Sequence, residues 1–269
     1  MNSFSSSISN KQVESIRDWN EDAINFKKFD PPSVSIVEDM HKKPCLLVFP
    51  EFLRGEDLIE SANAIRALIQ DFNSIPKIKD TSPRHVPPDN SSLKWGAYNF
   101  GAWYENGGKT GHMLSPSKDT QGALHSRATE DFYIRTSKLS SRVSALLQAF
   151  KPDIHARYRA AVQKASQFRN LSHLLSTEKE AYLCRCVLIN AKSKCHRDLK
   201  DVRDGWTAVI SFGSYNLSYL CFPDLKLRVC IRPGTLVFLP SYILSHYMME
   251  VEGDERYTMI FFMHEEHMK

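Results

Sequence analysis

The sequence has no long hydrophobic run, and none of its apolar stretches approaches the ~20 residues that a membrane-spanning helix needs. The N-terminus, MNSFSSSISNKQ, lacks the apolar centre of a secretory signal peptide. The six cysteines include no C-x-x-C pair, and Cys184 and Cys186 lie inside an apolar run, which favours buried free thiols over zinc binding or disulfides. These absences predict an intracellular, cytoplasmic protein with no membrane partner.

The sequence also lacks a basic block, since its net charge of +4 comes from Lys and Arg spread along the chain. A charge bias this weak neither requires nor excludes a nucleic-acid partner. The 269 residues contain no internal repeat, and 42% are hydrophobic and 25% charged, which is typical of a globular protein with a substantial core. We predict a Ser-rich arm over residues 1–40, partly disordered or loosely docked, followed by a single domain over residues 41–269.

The first half of the chain predicts helices on either side of a long loop. CLLVFPEF, at residues 45–52, predicts a buried strand, and residues 55–72 carry apolar side chains at helical spacing. Residues 124–176 predict further helices, with Pro152 in the first turn of the second. Between them, residues 73–121 are rich in Pro, Gly, Ser and Asn, and include WGAYNFGAWY. Two interpretations remain open for this stretch: a folded edge or lid of a pocket, or a hairpin that covers the core.

From residue 181 the sequence pattern changes to that of strands. Six short segments are rich in β-branched and aromatic residues and are separated by turn signals such as PD and RPG: YLCRCVLIN, WTAVISFG, YLCFP, LKLRVCI, TLVFLP and RYTMIFFM. Because no helices separate them, they predict an antiparallel sandwich or barrel over about residues 181–265, with the helices packed outside. The predicted fold class is α+β, mainly β.

The first of these strands is followed by a His-x-Asp motif. His196 and Asp198 share one face, because residues i and i+2 of an extended segment point the same way. His246 lies 50 residues later, between the last two predicted strands, where the chain can return to the same end of a sandwich. Two His and one carboxylate form the facial triad of non-haem Fe(II) oxygenases, with open positions for co-substrate and O2. The same set also serves zinc hydrolases, and His196 with Asp198 alone could be a hydrogen-bonded pair at a strand end.

Arg256 opens the last strand, which is otherwise apolar, and Thr258 faces the same way. A buried cation requires an anionic partner, and a bound dicarboxylic acid would supply one through its distal carboxylate, gripped by the guanidinium fork. Thr258 would add a hydrogen bond. The alternative partners are Glu252 and Asp254 on the preceding turn.

The order His-x-Asp, about fifty residues, His, about ten residues and Arg-x-Thr resembles that of the Fe(II)/2-oxoglutarate-dependent oxygenase superfamily. HRD, RPGTLVFLPSYILSH and GDERYTMIFF are similar to fungal members of its TET/JBP branch, over roughly residues 182–265. The resemblance implies a double-stranded β-helix, or jelly roll, with iron on His196, Asp198 and His246. It also implies that 2-oxoglutarate binds iron through its keto-acid end and binds Arg256 and Thr258 through its distal carboxylate. O2 would convert it to succinate and CO2 while a C–H bond of the substrate is oxidised.

Five further side chains are candidates for the site, each with a structural alternative. Asn190 would contact the co-substrate or simply form a turn, and Trp206 would form a wall of the site or belong to the core. Tyr98 and Trp103 of the aromatic stretch, and Tyr219, are candidates for the substrate pocket. Tyr219 lies in SFGSYNLSYL, where many relatives carry Gly-Gly, so this stretch predicts a bulkier rim.

Three other residues are assigned to the surface. Arg232, in the IRPG turn, is the weaker candidate for holding the co-substrate and is predicted to be solvated. His264 and His267, in the tail MHEEHMK, are predicted to be exposed.

The sequence leaves three functions open. An oxygenase acting on a small molecule, such as an amino acid or a natural-product intermediate, is favoured because the charge bias is weak. The alternative is a nuclear enzyme that oxidises the methyl group of a 5-methylpyrimidine in nucleic acid, which needs a flipped base and a basic track for phosphates. The five aromatics of the stretch could then stack a base, and could equally line a small-molecule pocket: Trp95, Tyr98, Phe100, Trp103 and Tyr104. A non-catalytic, cupin-like metal-binding protein is the third, although it has no need of Arg256. The sequence does not fix the oligomeric state.

Overall fold

The computed structural model of the chain describes residues 25–72, 84–89, 92–104, 114–174, 179–249 and 251–269. Its strands, in chain order, are β1 (Lys27–Phe29), β2 (Ser35–Glu38), β3 (Pro44–Phe49), β4 (His85–Val86), β5 (Gly96–Phe100), β6 (Ala102–Tyr104), β7 (Leu114–Pro116), β8 (Cys184–Ile189), β9 (Lys192–Ser193), β10 (Thr207–Phe222), β11 (Leu227–Ile231), β12 (Leu236–Leu239), β13 (Tyr247–Met248) and β14 (Glu252–Phe262). Its α-helices are α1 (Gly55–Phe72), α2 (Ala123–Arg135), α3 (Ser137–Phe150) and α4 (Pro152–Ser166).

Ten of the described strands form one large sheet that folds back on itself along β10, while β4 pairs with β9 and β6 with β7 in two separate two-stranded sheets. Its main path has the order β2-β3-β12-β10-β14-β8-β5. The first residues of β10 pair with β12 and β14, and its last residues pair with β11 and β13 instead. The register against β14 shifts on either side of Tyr215, and Gly213, at φ +133, lies so close to β14 that a Cβ would come 2.1 Å from the carbonyl oxygen of Glu255. These irregularities let a single strand serve both faces of a jelly roll.

The two faces of the main sheet carry different side chains. On β5, β8, β10 and β14, one set of alternate residues is fully buried against the helices, as with Tyr98, Ile210 and Phe261. The other set points away from the helices and lines a cavity, as with Leu188 and Thr258. The period of two along each strand therefore separates the side chains that pack against the helices from those that line the cavity.

The helices form where apolar residues recur at helical spacing. They pack against the sheet, as predicted. Ile65 and Leu68 of α1 and Val143 of α3 belong to the same buried cluster as the sheet. Pro152 occupies the first turn of α4, where its missing N–H costs nothing. The predicted mainly-β fold with helices packed outside the sheet is therefore the observed one.

Three details of the architecture differ from the prediction. The segments WTAVISFG and YLCFP form a single strand, β10, because bulges bend it where two strands were expected. Residues 27–38 form β1 and β2, which pair with β11 and β3, so the sheet begins before residue 41. The parallel pairing of β1 with β11 was also not predicted, because the antiparallel prediction covered only about residues 181–265.

The remaining predictions about the chain's ends and loops are settled only in part. Residues 1–24, 73–83 and 105–113, which include most of the predicted arm and much of the predicted loop, lie outside the described residues.

All six cysteines are free thiols. Within the described residues, no helix combines the length and the apolar character needed to cross a membrane.

A buried ion pair joins β8 to the helical layer. The side chains of Arg185 and Glu180 are 0% and 1% exposed, and the Arg185 Nε–H donates to Glu180 Oε1 at 2.9 Å. Arg185 also donates to Thr136 Oγ1 at 3.0 Å, and its guanidinium carbon lies 3.9 Å from the centre of the Tyr133 ring. Burial raises the pKa of the Glu180 carboxyl, and the charge of Arg185 opposes that shift. The pair fixes β8, which leads to the His-x-Asp motif.

We expect Glu180→Ala to lower the free energy of unfolding by about 3–5 kcal/mol, because it leaves a guanidinium buried without its carboxylate. The control is Asp30→Ala, which breaks the more exposed pair with Arg232 and should cost about 0–1 kcal/mol. Urea unfolding followed by circular dichroism measures both. A loss for Glu180→Ala as small as that of the control would contradict the structural role of the buried pair.

Candidate metal centre and active site

Backbone pairing brings the two ends of the predicted metal motif together. The His196 N–H donates to the carbonyl of His246 at 3.1 Å, and the His246 N–H donates back to the carbonyl of His196 at 2.9 Å. The Asp198 N–H donates to the carbonyl of Ser241 at 3.0 Å. These bonds place the segment after β9 antiparallel to the segment before β13, and the two imidazole rings lie with their centres 4.5 Å apart.

The three predicted ligands converge on one point. One ligand atom from each of His196, Asp198 and His246 lies within 4.8 Å of the other two. The Nδ1 atom of His196 lies 2.7 Å from the carbonyl of Lys194, and that of His246 lies 3.0 Å from the carbonyl of Leu244. A carbonyl only accepts, so Nδ1 carries the proton in both rings and each Nε2 lone pair is left for a metal. The donor set fits a divalent cation.

The electrostatics of the cluster also suit a cation. Burial opposes ionisation of Asp198, but His246, His196 and Arg84 hold the pKa of its carboxyl well below the usual range. Burial and the neighbouring His246 lower the pKa of His196 to about 3. Burial works against a charged His246, yet its interaction with Asp198 at 3.5 Å prevails and raises its pKa. A divalent ion would take the place of the proton that His246 holds beside Asp198, since metal ligands bind in deprotonated form.

The cluster lies at one end of a cavity of about 620 Å³, a volume in the range of small-molecule sites. Side chains from the sheet, including Leu188, Val209 and Ile260, form an apolar wall. Trp103 and Phe262 add aromatic rings whose centres are 6.5 Å apart. The cavity therefore combines a metal-ligand cluster with water-excluding surfaces.

Arg256 and Thr258 lie on the cavity face of β14. Thr258 lines the cavity, and its hydroxyl lies 3.0 Å from that of Ser211. Arg256 is 2% exposed and lies two residues before Thr258 on the same face of the strand, but it does not line the cavity. Its guanidinium donates to the Ser218 hydroxyl at 2.7 Å and to the carbonyl of Met249 at 2.9 Å. Both proposed alternative partners, Glu252 and Asp254, are exposed.

A second buried carboxylate faces the cavity, and sequence reasoning missed it. Asp201 is 5% exposed, and its Oδ2 accepts hydrogen bonds from Ser241 at 2.6 Å and Thr207 at 3.1 Å. Its Oδ1 lies 3.8 Å from His264 Nε2, and both residues line the cavity. Burial, with the charge of Asp198 nearby, raises the pKa of Asp201 to about 7. The only signal in the sequence was its place three residues after Asp198, in HRDLKD.

Of the predicted pocket residues, only Trp103 and Thr258 line the cavity. Tyr98 points to the other face of β5 and packs on Phe72, with ring centres 5.0 Å apart, while its neighbours Ala97 and Asn99 face the cavity. The predicted aromatic stretch is thus divided between core and cavity by strand alternation.

Three further assignments to the site are corrected by packing. Trp206 is in the core, 5.3 Å from Phe150 between ring centres. Tyr219 points outward beneath the guanidinium of Arg228, while Leu220, the next residue on β10, lines the cavity. Asn190 adopts a left-handed turn, at φ +51, and its amide bonds the backbone of Lys94 and Arg256.

The C-terminal tail is buried, contrary to the prediction. Residues 265–268 form a 3₁₀ turn that folds back on the sheet, and His267 is 5% exposed because its Nε2 bonds the carbonyl of Ala102 at 2.8 Å. His264 lines the cavity. Arg232, the weaker co-substrate candidate, remains half-exposed and forms an ion pair with Asp30.

The comparison with solved structures finds the same fold elsewhere. The structure of NgTET1 in complex with 5mC DNA aligns with a TM-score of 0.59 at 14% identity, covering 96% of this chain and 92% of that one. A viral collagen prolyl hydroxylase from Paramecium bursaria Chlorella virus-1 aligns with a TM-score of 0.41 at 13% identity, covering 81% and 94%. OsALKBH1 aligns with a TM-score of 0.40 at 12% identity, covering 86% and 100%. TM-scores this low for the last two establish nothing further.

No family model and no curated protein sequence matches the chain. The likeness to NgTET1 shows a shared fold, which is the double-stranded β-helix that the sequence resemblance implied. The narrower resemblance to fungal members stays a prediction.

We expect the metal-free protein to bind one Co²⁺, a spectroscopic substitute for Fe²⁺, and His246→Ala to lose most of that affinity because it removes one of three ligands. Absorption titration measures the binding. The matched control is His41→Ala, which removes an exposed histidine outside the cavity and should leave binding unchanged. Wild-type affinity in His246→Ala would show that the metal lies elsewhere.

Proposed function

We propose that the protein is an Fe(II)/2-oxoglutarate-dependent oxygenase, with His196, Asp198 and His246 as the iron ligands. The observation that carries the proposal is the convergence of their ligand atoms within 4.8 Å at one end of a cavity. Arg256 and Thr258, on the same face of β14, would hold the distal carboxylate of 2-oxoglutarate. The fold shared with NgTET1 supports this assignment.

Bound iron would couple O2 and the decarboxylation of 2-oxoglutarate to oxidation of a substrate C–H bond. The chain's own residues prepare the site for this. The carbonyls of Lys194 and Leu244 fix both imidazoles as neutral Nε2 donors, and the low pKa of Asp198 keeps it a carboxylate. The apolar wall limits access of water, which protects a reactive centre from side reactions.

The alternatives of a zinc hydrolase and a cupin-like binding protein have no need of an arginine at the spacing of Arg256. A buried guanidinium on the face that carries Thr258 is the group expected for a carboxylate ligand. Neither alternative requires a second anionic ligand in the same cavity. The arginine thus favours a 2-oxoacid co-substrate.

For the substrate, the cavity favours a flat ring that carries an amino group. Asp201 presents a carboxylate oxygen beside His264, so the wall accepts N–H donors, while Trp103 and Phe262 offer ring surfaces. Among the two substrate classes that the sequence left open, an aminopyrimidine such as 5-methylcytosine has this chemistry. We therefore place the nucleobase ahead of the amino-acid-type small molecule, and NgTET1, which was crystallised with 5mC DNA, supports that order.

We expect the iron-loaded protein to release succinate from 2-oxoglutarate when a duplex containing 5-methylcytosine is added, and to leave an unmethylated duplex of the same sequence unoxidised. Duplex binding should weaken as salt rises, by roughly 100-fold between 50 and 200 mM for four phosphate contacts. Mass spectrometry of the bases and fluorescence titration measure the two effects. Succinate release driven by a small metabolite, with no salt dependence, would instead show that the substrate is a small molecule.

We expect Arg256→Lys to weaken 2-oxoglutarate binding tens- to about a hundred-fold, since it keeps the charge but loses a bidentate contact of ~2–3 kcal/mol. Calorimetric titration of the metal-loaded protein measures the affinity. Arg232→Lys is the control, because Arg232 is half-exposed and forms an ion pair with Asp30 rather than lying on the cavity face of β14. An unchanged affinity in Arg256→Lys would move the carboxylate site away from β14.

A further inference from the structure

An arginine from a distant segment contacts the carboxylate of the metal-ligand cluster. Arg84 comes directly before β4, which pairs with β9 just ahead of the His-x-Asp motif. The Lys194 N–H donates to the carbonyl of Arg84 at 2.6 Å, so the Arg84 backbone is fixed two residues before His196. From there its guanidinium donates to Asp198 Oδ1 at 2.5 Å, and the side chain also lines the cavity.

The two oxygens of Asp198 are thereby given different surroundings. Oδ1 accepts the hydrogen bond of Arg84 and lies 3.9 Å from His196 Nε2, whereas Oδ2 lies 3.5 Å from His246 Nε2. A carboxylate that is free to turn can chelate an ion through both oxygens. A carboxylate whose Oδ1 is held by Arg84 would offer the ion only Oδ2. That would leave more coordination positions for a bidentate co-substrate and O2.

We propose that Arg84 is a positioning residue that fixes Asp198 as a one-oxygen ligand. The inference rests on the proposed metal function and adds to it a residue that the facial-triad motif does not contain. It also assigns a role to one residue of the stretch at residues 73–121, because Arg84 connects β4 to the proposed metal centre.

The contact is too exposed to act mainly on stability. The side chains of Arg84 and Asp198 are 41% and 21% exposed, and ion pairs in such settings contribute little to folding. The effect of Arg84 should therefore appear in metal affinity and geometry, while thermal unfolding of the metal-free protein changes little. That contrast separates a positioning role from a structural one.

The test compares Arg84→Met, which keeps much of the side-chain bulk and removes the donors, with Arg84→Lys, which keeps the charge. Co²⁺ titration of the metal-free proteins should show affinity about 10- to 100-fold weaker for Arg84→Met. Its visible spectrum should shift toward that of a higher coordination number, and Arg84→Lys should be intermediate. Arg54→Met is the control, because Arg54 forms an exposed pair with Glu51.

The outcomes distinguish this role from the proposed function. If wild type binds Co²⁺ and Arg84→Met binds it with equal affinity and an unchanged spectrum, the positioning role is overturned while the metal site stands. If the wild-type protein binds no Co²⁺, the metal function fails and the role of Arg84 fails with it. A large fall in the unfolding midpoint of metal-free Arg84→Met would make the residue structural.

Discussion

The candidate site depends on one pair of backbone hydrogen bonds, which join residue 196 to residue 246. Neither residue lies in a long strand, and each follows a short connection from the sheet. Because both carbonyls and both N–H groups are used in the bridge, the two imidazoles leave the backbone at a fixed spacing. The carbonyls two residues earlier then fix both ring orientations. A site built this way is defined by main-chain geometry before any ion binds, which is the preorganisation that a metal centre needs.

The sheet supplies the second constraint, since its strands have to serve a core and a cavity at once. Arg185 and Arg256 show the consequence on neighbouring strands. Arg185 points toward the helices, where Glu180 neutralises it inside the packed core. Arg256 lies on the cavity side of β14, where a hydroxyl and a main-chain carbonyl orient its guanidinium. The same residue type packs in the core on one face and is the proposed carboxylate-binding residue on the other.

The sequence predicted the parts of the site that lie close together in the chain or follow strand periodicity. Alternation places the two members of His-x-Asp on one face, and likewise those of Arg-x-Thr, while the distal histidine was linked to them by the resemblance to the oxygenase superfamily. Arg84 could not be found, because its approach to Asp198 depends on pairing between segments over a hundred residues apart. Tyr98 was misplaced for a simpler reason: alternation shows that half of an aromatic stretch is buried, but it does not show which half faces the core.

The cavity wall at Asp201 and the proposed metal ligand Asp198 belong to one loop, which limits how far either can change independently. The Asp201 N–H donates to the Asp198 carbonyl at 2.9 Å, and Ser241 accepts from the Asp198 N–H while its hydroxyl donates to Asp201. On its other side, residue 201 pairs with residue 264, so the C-terminal tail docks on this loop and His264 lines the cavity. A substitution that reshapes the wall at Asp201 would therefore shift the ligand three residues before it. In the proposed enzyme, substrate preference should be more freely altered at Asn99 on β5 or Trp103 on β6, which line the cavity from outside this loop.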